Sequence, residues 1–338
     1  MEKNIPIISI CIPVFQTEPY LQACLDSVVT QDFPSFEVVI VSDASPGKDS
    51  KGRKAKKIVH DMQKKCKIVR KSKSLPPVKF RFIENNQNRG LIEVRRTLCT
   101  QAKGQYITQL DSDDELEPGA LTALYEASQN GTIDIVHGTS TAGTFDENNN
   151  FILSQQNRYG KILYEQIEGR DIFHRWLVNS EFTANTWGKI IRRELFIKAY
   201  ENIPYTECNM ADDVLLFFFL SQYASSYIGI RNNVYLYRVN TGMSSRRKID
   251  DLHKWKMICS TASVFTIITQ WIQENQNKES ALLPEEVETI RAMMRFYLKN
   301  NLQQMQETVS PSILPQARQM LCEYWGESFV NHMEEMLK

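Results

Sequence analysis

The sequence QLDSDD, residues 109–114, places three carboxylates directly after a short segment rich in β-forming residues. That segment, residues 106–110, follows Gly104 and ends at the acidic turn, which predicts a buried strand. Carboxylates this close together raise one another's pKa unless a cation neutralises them. Because no histidine or cysteine cluster accompanies them, their hard oxygen atoms favour Mg²⁺ or Mn²⁺ over zinc. The acidic turn therefore predicts a divalent-cation site.

Two other interpretations of the acidic turn have different consequences. A calcium-binding EF-hand loop that began at Asp111 would need glycine and glutamate where the chain has Leu116 and Thr122, so that loop is excluded. Alternatively, Asp113 and Asp114 are turn and N-cap residues of a helix that starts near residues 117–118. The hexapeptide alone favours neither capping nor metal binding, and the rest of the chain decides.

Segments on either side of the acidic turn alternate between strand-like and helix-like patterns. Nearly continuous apolar, β-branched runs are typical of strands buried on both faces, whereas apolar residues three or four positions apart predict helices. The predicted strands are 7–15, 36–42, 80–84 and 106–110, and the predicted helices are 20–30 and 91–102. This order predicts an α/β fold with a mostly parallel sheet flanked by helices.

Polar residues follow three of these strands at the point where each strand ends. Asp43 closes 36–42, Asn88 to Gly90 follow 80–84, and Asp111 to Asp113 follow 106–110. In a parallel sheet, ligands bind at the carboxyl ends of the strands. Three independent placements at that edge are hard to explain by capping, so they favour a binding site.

The pattern becomes less regular beyond residue 133. We expect strands at 133–138 and 234–239, a hairpin at 143–153 that turns at 147–150, a short strand and a helix within 185–199, and an almost wholly buried helix at 211–224. From residue 250 onward apolar residues fall at helical spacing, and further helices start near Pro284 and Pro315. The expected domains are an α/β domain at 1–245 and a helical appendage at 246–338.

The composition is that of an ordinary globular protein, with 338 residues, 42% hydrophobic and 24% charged. The 40 basic and 40 acidic residues give no reason to expect nucleic-acid binding. Seven cysteines without paired or metal-ligand spacing indicate reduced thiols. Neither a signal peptide nor an apolar run long enough to cross a bilayer is visible, so the sequence predicts a cytoplasmic protein.

One segment departs from this charge balance, since residues 48–81 contain fourteen basic and two acidic residues. Together with Arg246, Arg247 and Lys248, it is suited to peripheral contact with an anionic membrane face. A solvated helix face, or a homodimer formed through the helical tail, is the alternative.

Six ordered motifs resemble those of family 2 glycosyltransferases, which have the GT-A fold. The opening SICIPVFQTEPYL, residues 9–21, is similar to the family's S-I-x-I-P-x-Y-N-x-E-x-x-L, with Phe15 and Gln16 in place of Tyr and Asn. Further matches are VIVSDAS at 39–45, NRG at 88–90 followed by Arg95, GQYI at 104–107 leading to the acidic turn, NTWGKI at 185–190 and ADDVLLF at 211–217. Each motif alone is weak, but six in this order make the resemblance specific.

The resemblance implies a nucleotide-diphosphate-sugar site at the carboxyl edge of the sheet. Asp43 would accept from a base N–H, the turn after Phe15 would wall the base, and Asp111 would hold the ribose. The implied nucleotide-binding residues are Pro13, Phe15, Glu18, Asp43, Asn88, Gly90, Arg95, Asp111 and Ser112.

The same resemblance assigns the cation, Mn²⁺ or Mg²⁺, to Asp113. No third protein ligand is evident; His253, which follows the last shared segment, is one candidate. Trp187 would either stack on a sugar or lie in the core.

Asp213 is the catalytic base that the resemblance implies. Adjacent helical residues point about 100° apart, so only one of Asp212 and Asp213 can address the reaction centre, and the family pattern selects Asp213. The helix dipole alone would also favour an aspartate in this first turn. Since no other nucleophile has a partnered base, an inverting single displacement is expected.

The implied function is metal-dependent, inverting transfer of a hexose or N-acetylhexosamine. We expect a UDP-sugar donor and a hydroxyl acceptor on a glycan or lipid-linked intermediate of cell-surface polysaccharide or lipopolysaccharide synthesis. One alternative is a non-catalytic nucleotide-sugar sensor or scaffold, against which Asp111, Asp113 and Asp213 argue. A sugar nucleotidyltransferase would need a glycine-rich loop after the first strand, and residues 13–19 contain no glycine.

Overall fold

A computed structural model describes residues 5–145, 151–154, 160–239, 241 and 248–337. The predicted hairpin turn at 147–150, as well as Arg246 and Arg247, lies outside the described residues. The strands are β1 (Ile8–Val14), β2 (Phe36–Ser42), β3 (Lys79–Glu84), β4 (Tyr106–Gln109), β5 (Glu115–Leu116), β6 (Ile135–Phe145), β7 (Phe151–Leu153), β8 (Gln166–Glu168), β9 (Lys189–Arg192) and β10 (Ser226–Arg238). The helices are α1 (Glu18–Val29), α2 (Ala55–Ser72), α3 (Leu91–Gln101), α4 (Ala120–Ala127), α5 (Arg170–Leu177), α6 (Arg193–Asn202), α7 (Asp212–Tyr223), α8 (Leu252–Cys259), α9 (Thr261–Asn275), α10 (Pro284–Thr308), α11 (Leu314–Trp325) and α12 (Glu327–Met336).

These strands form one mixed sheet in the order β3-β2-β1-β4-β9-β6-β10-β5, with β7 beside β6 and β8 beside β10. β1, β2, β3 and β4 are mutually parallel, and β6 is parallel to β10. The strands β5, β7, β8 and β9 run antiparallel to their partners. The predicted, mostly parallel α/β sheet is confirmed, although the sequence did not reveal that β9 inserts between β4 and β6.

Strands β1 and β2 are buried on both faces, as their apolar sequences predict. Successive side chains of a strand point to opposite faces. In β1, Ile8, Ile10 and Ile12 pack into the hydrophobic cluster beneath α1 and α2, whereas Cys11 joins the cluster formed by α3, α6 and α7. Helices thus cover both faces of the sheet and leave its carboxyl edge open.

Helix α7 lies inside the protein. All of its residues from Val214 to Ser221 are buried, and it contacts α5, α6 and α9. This burial confirms the prediction made from its apolar sequence. The helix therefore holds its first residues, Asp212 and Asp213, on a rigid element.

The helices after residue 250 share a hydrophobic core with the α/β part. Trp255, Phe265 and Leu298 belong to the same buried cluster as Phe217 and Phe218. The domain boundary expected at 245–246 falls among residues outside those described. In the described part of the chain, no helix combines the length and apolarity needed to cross a bilayer.

Several elements differ from those that the sequence predicts. Strand β6 joins two predicted segments, because the small and polar residues between them continue the strand. Strand β10 starts eight residues earlier than expected: its register shifts between Gly229 and Asn233, where polar residues interrupt the apolar pattern. Helices α5 and α12 were not predicted.

Candidate active site

A cavity of about 480 Å³ opens at the carboxyl ends of β1, β2 and β4, within the size range of small-molecule sites. Nearly all predicted site residues line it: Pro13, Phe15, Asp43, Asn88, Gly90, Arg95, Asp111, Ser112, Asp113 and Asp213. The three polar groups that follow β2, β3 and β4 thus meet at one edge, as the sequence predicted.

Glu18 is the predicted site residue that does not line the cavity. It is fully buried at the start of α1, and neither of its carboxylate oxygens has a hydrogen-bond partner among the described residues. A Cβ on Gly47 would lie 1.9 Å from its Oε2 atom. Glu18 therefore packs against Gly47, in the loop that follows β2, outside the cavity lining.

Asp43 connects the ends of β2 and β3. Its carboxylate accepts hydrogen bonds from the Asn85 side chain at 2.7 Å, the Arg89 backbone N–H at 3.0 Å and the Gly90 backbone N–H at 3.1 Å. Gly90 has a φ of 83°, a conformation that disfavours residues with a Cβ. A carboxylate offers about four acceptor positions, and these three donors fill them with four contacts, because the Arg89 N–H is shared between both oxygens.

The acidic turn divides its aspartates between structure and cavity. Asp114 is buried and accepts from the Tyr235 hydroxyl at 2.8 Å and the Arg238 backbone N–H at 2.7 Å. Burial, Asp113 and Asp111 together raise the pKa of Asp114 well above its ordinary value. Because the N-cap of α4 is Gly119, the interpretation of Asp113 and Asp114 as capping residues is wrong.

Asp113 faces the cavity and is held by the segment after β10. Its Oδ2 atom accepts from the Thr241 hydroxyl at 2.8 Å. His253 also lines the cavity and is exposed. Within the described ranges, no three histidine, cysteine or acidic side chains are gathered as a preformed metal site.

Arg95 lies at the centre of a carboxylate cluster, which we call the Arg95 cluster and which comprises Arg95, Asp111, Asp212 and Asp213. Its Nη1 donates to Asp212 Oδ2 at 2.6 Å and to Asp213 Oδ1 at 2.7 Å, and its Nη2 donates to Asp111 Oδ1 at 3.1 Å. Its side chain is 3% exposed. Three carboxylates thus share one guanidinium.

Burial dominates the ionisation of this cluster. It raises the pKa of Asp212 to about 7 and that of Asp111 to about 6, although Arg95 acts to lower both. Burial alone would lower the pKa of Arg95, but Asp212, Asp213 and Asp111 raise it well above its ordinary value. Seven carboxylates and three Lys or Arg side chains line the whole cavity, so the charge balance favours a cation.

The two aspartates of α7 differ in exposure. The Asp213 side chain is 31% exposed and lines the cavity, whereas that of Asp212 is 8% exposed. The preceding residue, Ala211, has a φ of 58°, a left-handed conformation that disfavours residues with a Cβ. This tight turn brings the start of α7 to the cavity.

A family model described as glycosyl transferase family 2 matches residues 9–198. The chain belongs to this family. Glycosyl transferase family 2 membership rests on more than half of the sequence, from β1 to α6.

A curated relative of this family 2 chain is the glycosyltransferase GlyA of Streptococcus pneumoniae serotype 4, which is 25% identical over 240 residues. The match covers 71% of this chain and 31% of GlyA. The chain therefore spans about a third of that relative's length.

Two solved structures share the fold. S. aureus TarS 1–349 in complex with UDP-GlcNAc matches with a TM-score of 0.51 and 16% identity, over 94% of this chain and 89% of that one. The mannosyltransferase PcManGT of Pyrobaculum calidifontis, in complex with GDP-Man and Mn²⁺, matches with a TM-score of 0.51 and 14% identity, over 99% and 86%. These likenesses confirm the predicted GT-A fold.

In this family 2 protein, Trp187 lies in the core and also reaches the cavity, while its stacking on a sugar stays a prediction. It is 7% exposed, stacks on Tyr235 with ring centroids 4.7 Å apart, and still lines the cavity. Lys189, from the same motif, is fully buried, and burial lowers its pKa to about 7. Its ammonium donates to the backbone carbonyls of Thr183 and Asn185, which fixes the segment that precedes Trp187.

Some cavity residues could not be found from the sequence. Thr186, from the NTWGKI motif, does not line the cavity, yet its hydroxyl bonds to Asp213, and nothing in the sequence marked that contact. The cavity residues of this kind come from the segment before α7 and from the C-terminal helices: Glu207, Asn209, Met210, Lys256, Met257, Ser260 and Tyr324. Glu207, Asn209 and Met210 directly precede the ADDVLLF motif at 211–217. The others lie beyond the last motif, and the tertiary fold brings them to the cavity.

Proposed function

We propose that this protein transfers a sugar from a nucleotide-diphosphate donor to an acceptor hydroxyl with inversion, using Asp213 as the general base. One observation carries the proposal: the Asp213 carboxylate, partly exposed on a buried helix, shares one cavity with Phe15, Asp43 and the acidic turn. Positioning of this kind is what general-base catalysis requires.

The donor side of the cavity has the chemistry that a nucleotide needs. Phe15 and Pro13 provide an apolar wall, and Asp43 lines the same cavity, where a base N–H would replace one arm of the bond that the Arg89 backbone N–H divides between the two carboxylate oxygens. We propose a UDP-sugar as the donor; TarS, in the complex described above, binds UDP-GlcNAc. The transferred sugar is then a hexose or N-acetylhexosamine.

The oxygen ligands of the acidic turn fit a divalent cation. Asp113 would hold Mn²⁺ or Mg²⁺ with one carboxylate oxygen while Thr241 holds the other, and oxygen ligands suit both ions. When bound, the cation would supply charge neutralisation for the diphosphate leaving group. PcManGT was solved with Mn²⁺ and GDP-Man.

In the proposed reaction the acceptor hydroxyl loses its proton to Asp213 as its oxygen bonds to the anomeric carbon. The bond between that carbon and the diphosphate oxygen breaks on the opposite side, and the nucleoside diphosphate leaves with the electron pair. We propose that the acceptor is a glycan or a lipid-linked intermediate of cell-surface polysaccharide or lipopolysaccharide synthesis.

The test is a panel of nucleotide sugars incubated with the protein, with Mn²⁺ or with EDTA. We expect slow, metal-dependent release of sugar from one donor and faster transfer when an acceptor library is added. NMR of the product should show inversion of the anomeric configuration. Binding of nucleotide sugars without any turnover would indicate a sensor instead, and retention of configuration would exclude the single displacement.

The same panel tests the cation through Asp113→Asn. Calorimetry with UDP and Mn²⁺ should show a large loss of affinity in this variant, because it removes a charged ligand. Thr241→Val is the matched control, since it removes the hydroxyl that bonds to Asp113 and to the Arg238 carbonyl but keeps the carboxylate. Equal binding of UDP by wild type in EDTA and in Mn²⁺ would contradict the metal assignment.

For location, we propose peripheral contact with an anionic membrane through α2. Lys64, Lys67 and Lys71 are exposed on this helix beside Ile68, whose side chain is 70% exposed. Each basic residue near an anionic surface contributes about 1 kcal/mol. Vesicles rich in phosphatidylserine should sediment the protein at low salt, and a variant with these three lysines changed to glutamine should stay in solution. Equal sedimentation of both would refute the proposal.

A further inference from the structure

The two oxygens of the Asp213 carboxylate have different surroundings. Oδ1 accepts from Arg95 Nη1 at 2.7 Å and from the Thr186 hydroxyl at 3.2 Å. In the described part of the chain, no hydrogen bond reaches Oδ2. One oxygen is therefore held by the protein, and the other remains available to a ligand.

Arg95 is much the firmer of the two donors. The Thr186 hydroxyl has a single proton, which it shares with Gln109 Oε1 at 2.8 Å, the shorter contact. Arg95 makes a charge-assisted bond, and such bonds are about twice as strong as neutral ones. Its guanidinium is itself fixed by Asp111 and Asp212, so it cannot follow Asp213 if that side chain rotates.

We propose that Arg95 is the positioning residue of the general base: it holds Oδ1 of Asp213 and leaves Oδ2 to accept the acceptor's proton. This inference rests on the proposed function. It differs from the nucleotide contact that the sequence resemblance implied for Arg95, because among the described residues the guanidinium donates only to carboxylates of the site.

Removal of Arg95 would change both the aim of Asp213 and the charge of its surroundings. An error of about 1 Å in the position of a catalytic group can lower a rate by about 10²-fold. Loss of the guanidinium also removes the positive charge that opposes protonation of the Arg95 cluster. Other titratable groups that face this cluster are Asp113, Lys189, Cys99, Cys208, Tyr200 and Tyr297.

The test compares Arg95→Gln and Arg95→Lys with wild type in kcat, donor KM, and the pH dependence of kcat. We expect Arg95→Gln to lower kcat by about 10²-fold, to change donor KM by less than about threefold, and to move the acid limb of the profile to higher pH. Arg95→Lys keeps the charge but not the two-pronged geometry, so it should restore the acid limb and only part of kcat.

Arg96→Gln is the matched control on the same helix. Arg96 bonds to Glu93 and to the carbonyls of Tyr200 and Ile203, and it does not line the cavity. Its loss should lower the melting temperature without moving the pH profile. If Arg95→Gln does not fold, kcat and the pH profile of Arg95→Lys are compared with wild type instead. Millimolar guanidinium should then also restore part of the kcat of Arg95→Ala.

Two results would overturn the inference while wild-type turnover upholds the proposed function. A raised donor KM with unchanged kcat would make Arg95 a nucleotide contact. A loss of kcat with an unmoved pH profile in both Arg95→Gln and Arg95→Lys would make its role only structural. If wild type itself transfers no sugar from any donor, the proposed function fails instead.

Discussion

The cavity has two aspartate-based regions: Asp43 at the ends of β2 and β3, which we propose as its nucleotide side, and the Arg95 cluster, which we propose as its transfer side. Their carboxylates are neutralised in opposite ways. On the nucleotide side, the single carboxylate of Asp43 receives three donors from the end of β3. On the transfer side, Asp111, Asp212 and Asp213 share one guanidinium. There burial raises the pKa of Asp212 to about 7 and that of Asp111 to about 6.

This difference separates a carboxylate that the chain itself fixes, Asp43, from three carboxylates that share a single positive charge. Asp43 is satisfied by the chain alone, so its geometry is set before any ligand arrives. The Arg95 cluster has three carboxylates and one guanidinium, and a bound cation would reduce the repulsion among these carboxylates. We therefore expect substitutions on the nucleotide side to affect mainly folding and substitutions on the transfer side to affect mainly rate and pH dependence.

The largest effect should come from Asp213→Asn. Positioned general bases contribute about 10² to 10⁴ in rate, so kcat should fall by that factor while donor affinity stays within about threefold. Steady-state kinetics at saturating donor, with calorimetry of UDP binding, separates the two quantities. Near-normal turnover would mean that Asp213 only stabilises the start of α7.

Asp43→Asn should have the next largest effect, on stability. The asparagine amide would direct an N–H towards the backbone N–H groups of Arg89 or Gly90, leaving buried donors unpaired at a cost of about 2 kcal/mol. Urea unfolding measures the loss. Asp26→Asn is the control, because Asp26 forms an ion pair with Lys65 that is partly exposed and contributes less than about 1 kcal/mol. Equal losses of unfolding free energy in the two variants would mean that the hydrogen bonds to Asp43 stabilise the protein no more than a surface ion pair does.

The sequence predicted the nucleotide side better than the transfer side, for a physical reason. Asp43, Asn88 and Gly90 each follow a strand of the parallel sheet, so local pattern and the geometry of parallel strands place them together. The cluster around Arg95 depends on a contact between α3 and the start of α7, which are 117 residues apart. No local pattern reveals such a contact, so the sequence indicated only a nucleotide-binding or surface role for Arg95.

Glu18 shows the limit of motif matching. It stands at the position of the family's glutamate, yet the structure buries it beneath Gly47 and outside the cavity lining. Similarly, the sequence indicated helices after residue 250 but gave no sign that Lys256 and Tyr324 reach the cavity. A motif fixes the position of a residue along the chain, whereas the side to which its side chain turns depends on packing.

A third, smaller effect is expected in the pH dependence of stability. Because the pKa of Asp212 is raised from 3.8 to about 7 in the folded protein, the folded state holds a proton between these pH values that the unfolded state has lost. Stability from this group is full below pH 3.8 and falls as the pH rises towards 7.

Asp212→Asn removes this dependence. Relative to the variant, wild type should lose about 3 kcal/mol of unfolding free energy between pH 5 and pH 8, because pH 5 lies two units below the raised pKa of about 7 and each unit corresponds to about 1.4 kcal/mol. Asp171→Asn, an exposed first-turn aspartate of α5, should show no such trend. If the difference in unfolding free energy between wild type and Asp212→Asn stays constant over this range, the pKa of Asp212 is not raised in the folded protein.

The smallest effect concerns the turn that presents Asp213. Ala211 adopts a φ of 58° and a ψ of 23°, a left-handed conformation that costs a residue with a Cβ about 1–2 kcal/mol. Glycine would relieve this cost but would gain about 0.4–1 kcal/mol of unfolded-state entropy. Ala211→Gly should therefore stabilise the protein by about 0.5 kcal/mol, measured by urea unfolding. Ala123→Gly, within α4, should instead destabilise it by about 1 kcal/mol. If both changes destabilise equally, the turn before Asp213 carries no strain, and the start of α7 is held at the cavity by packing alone.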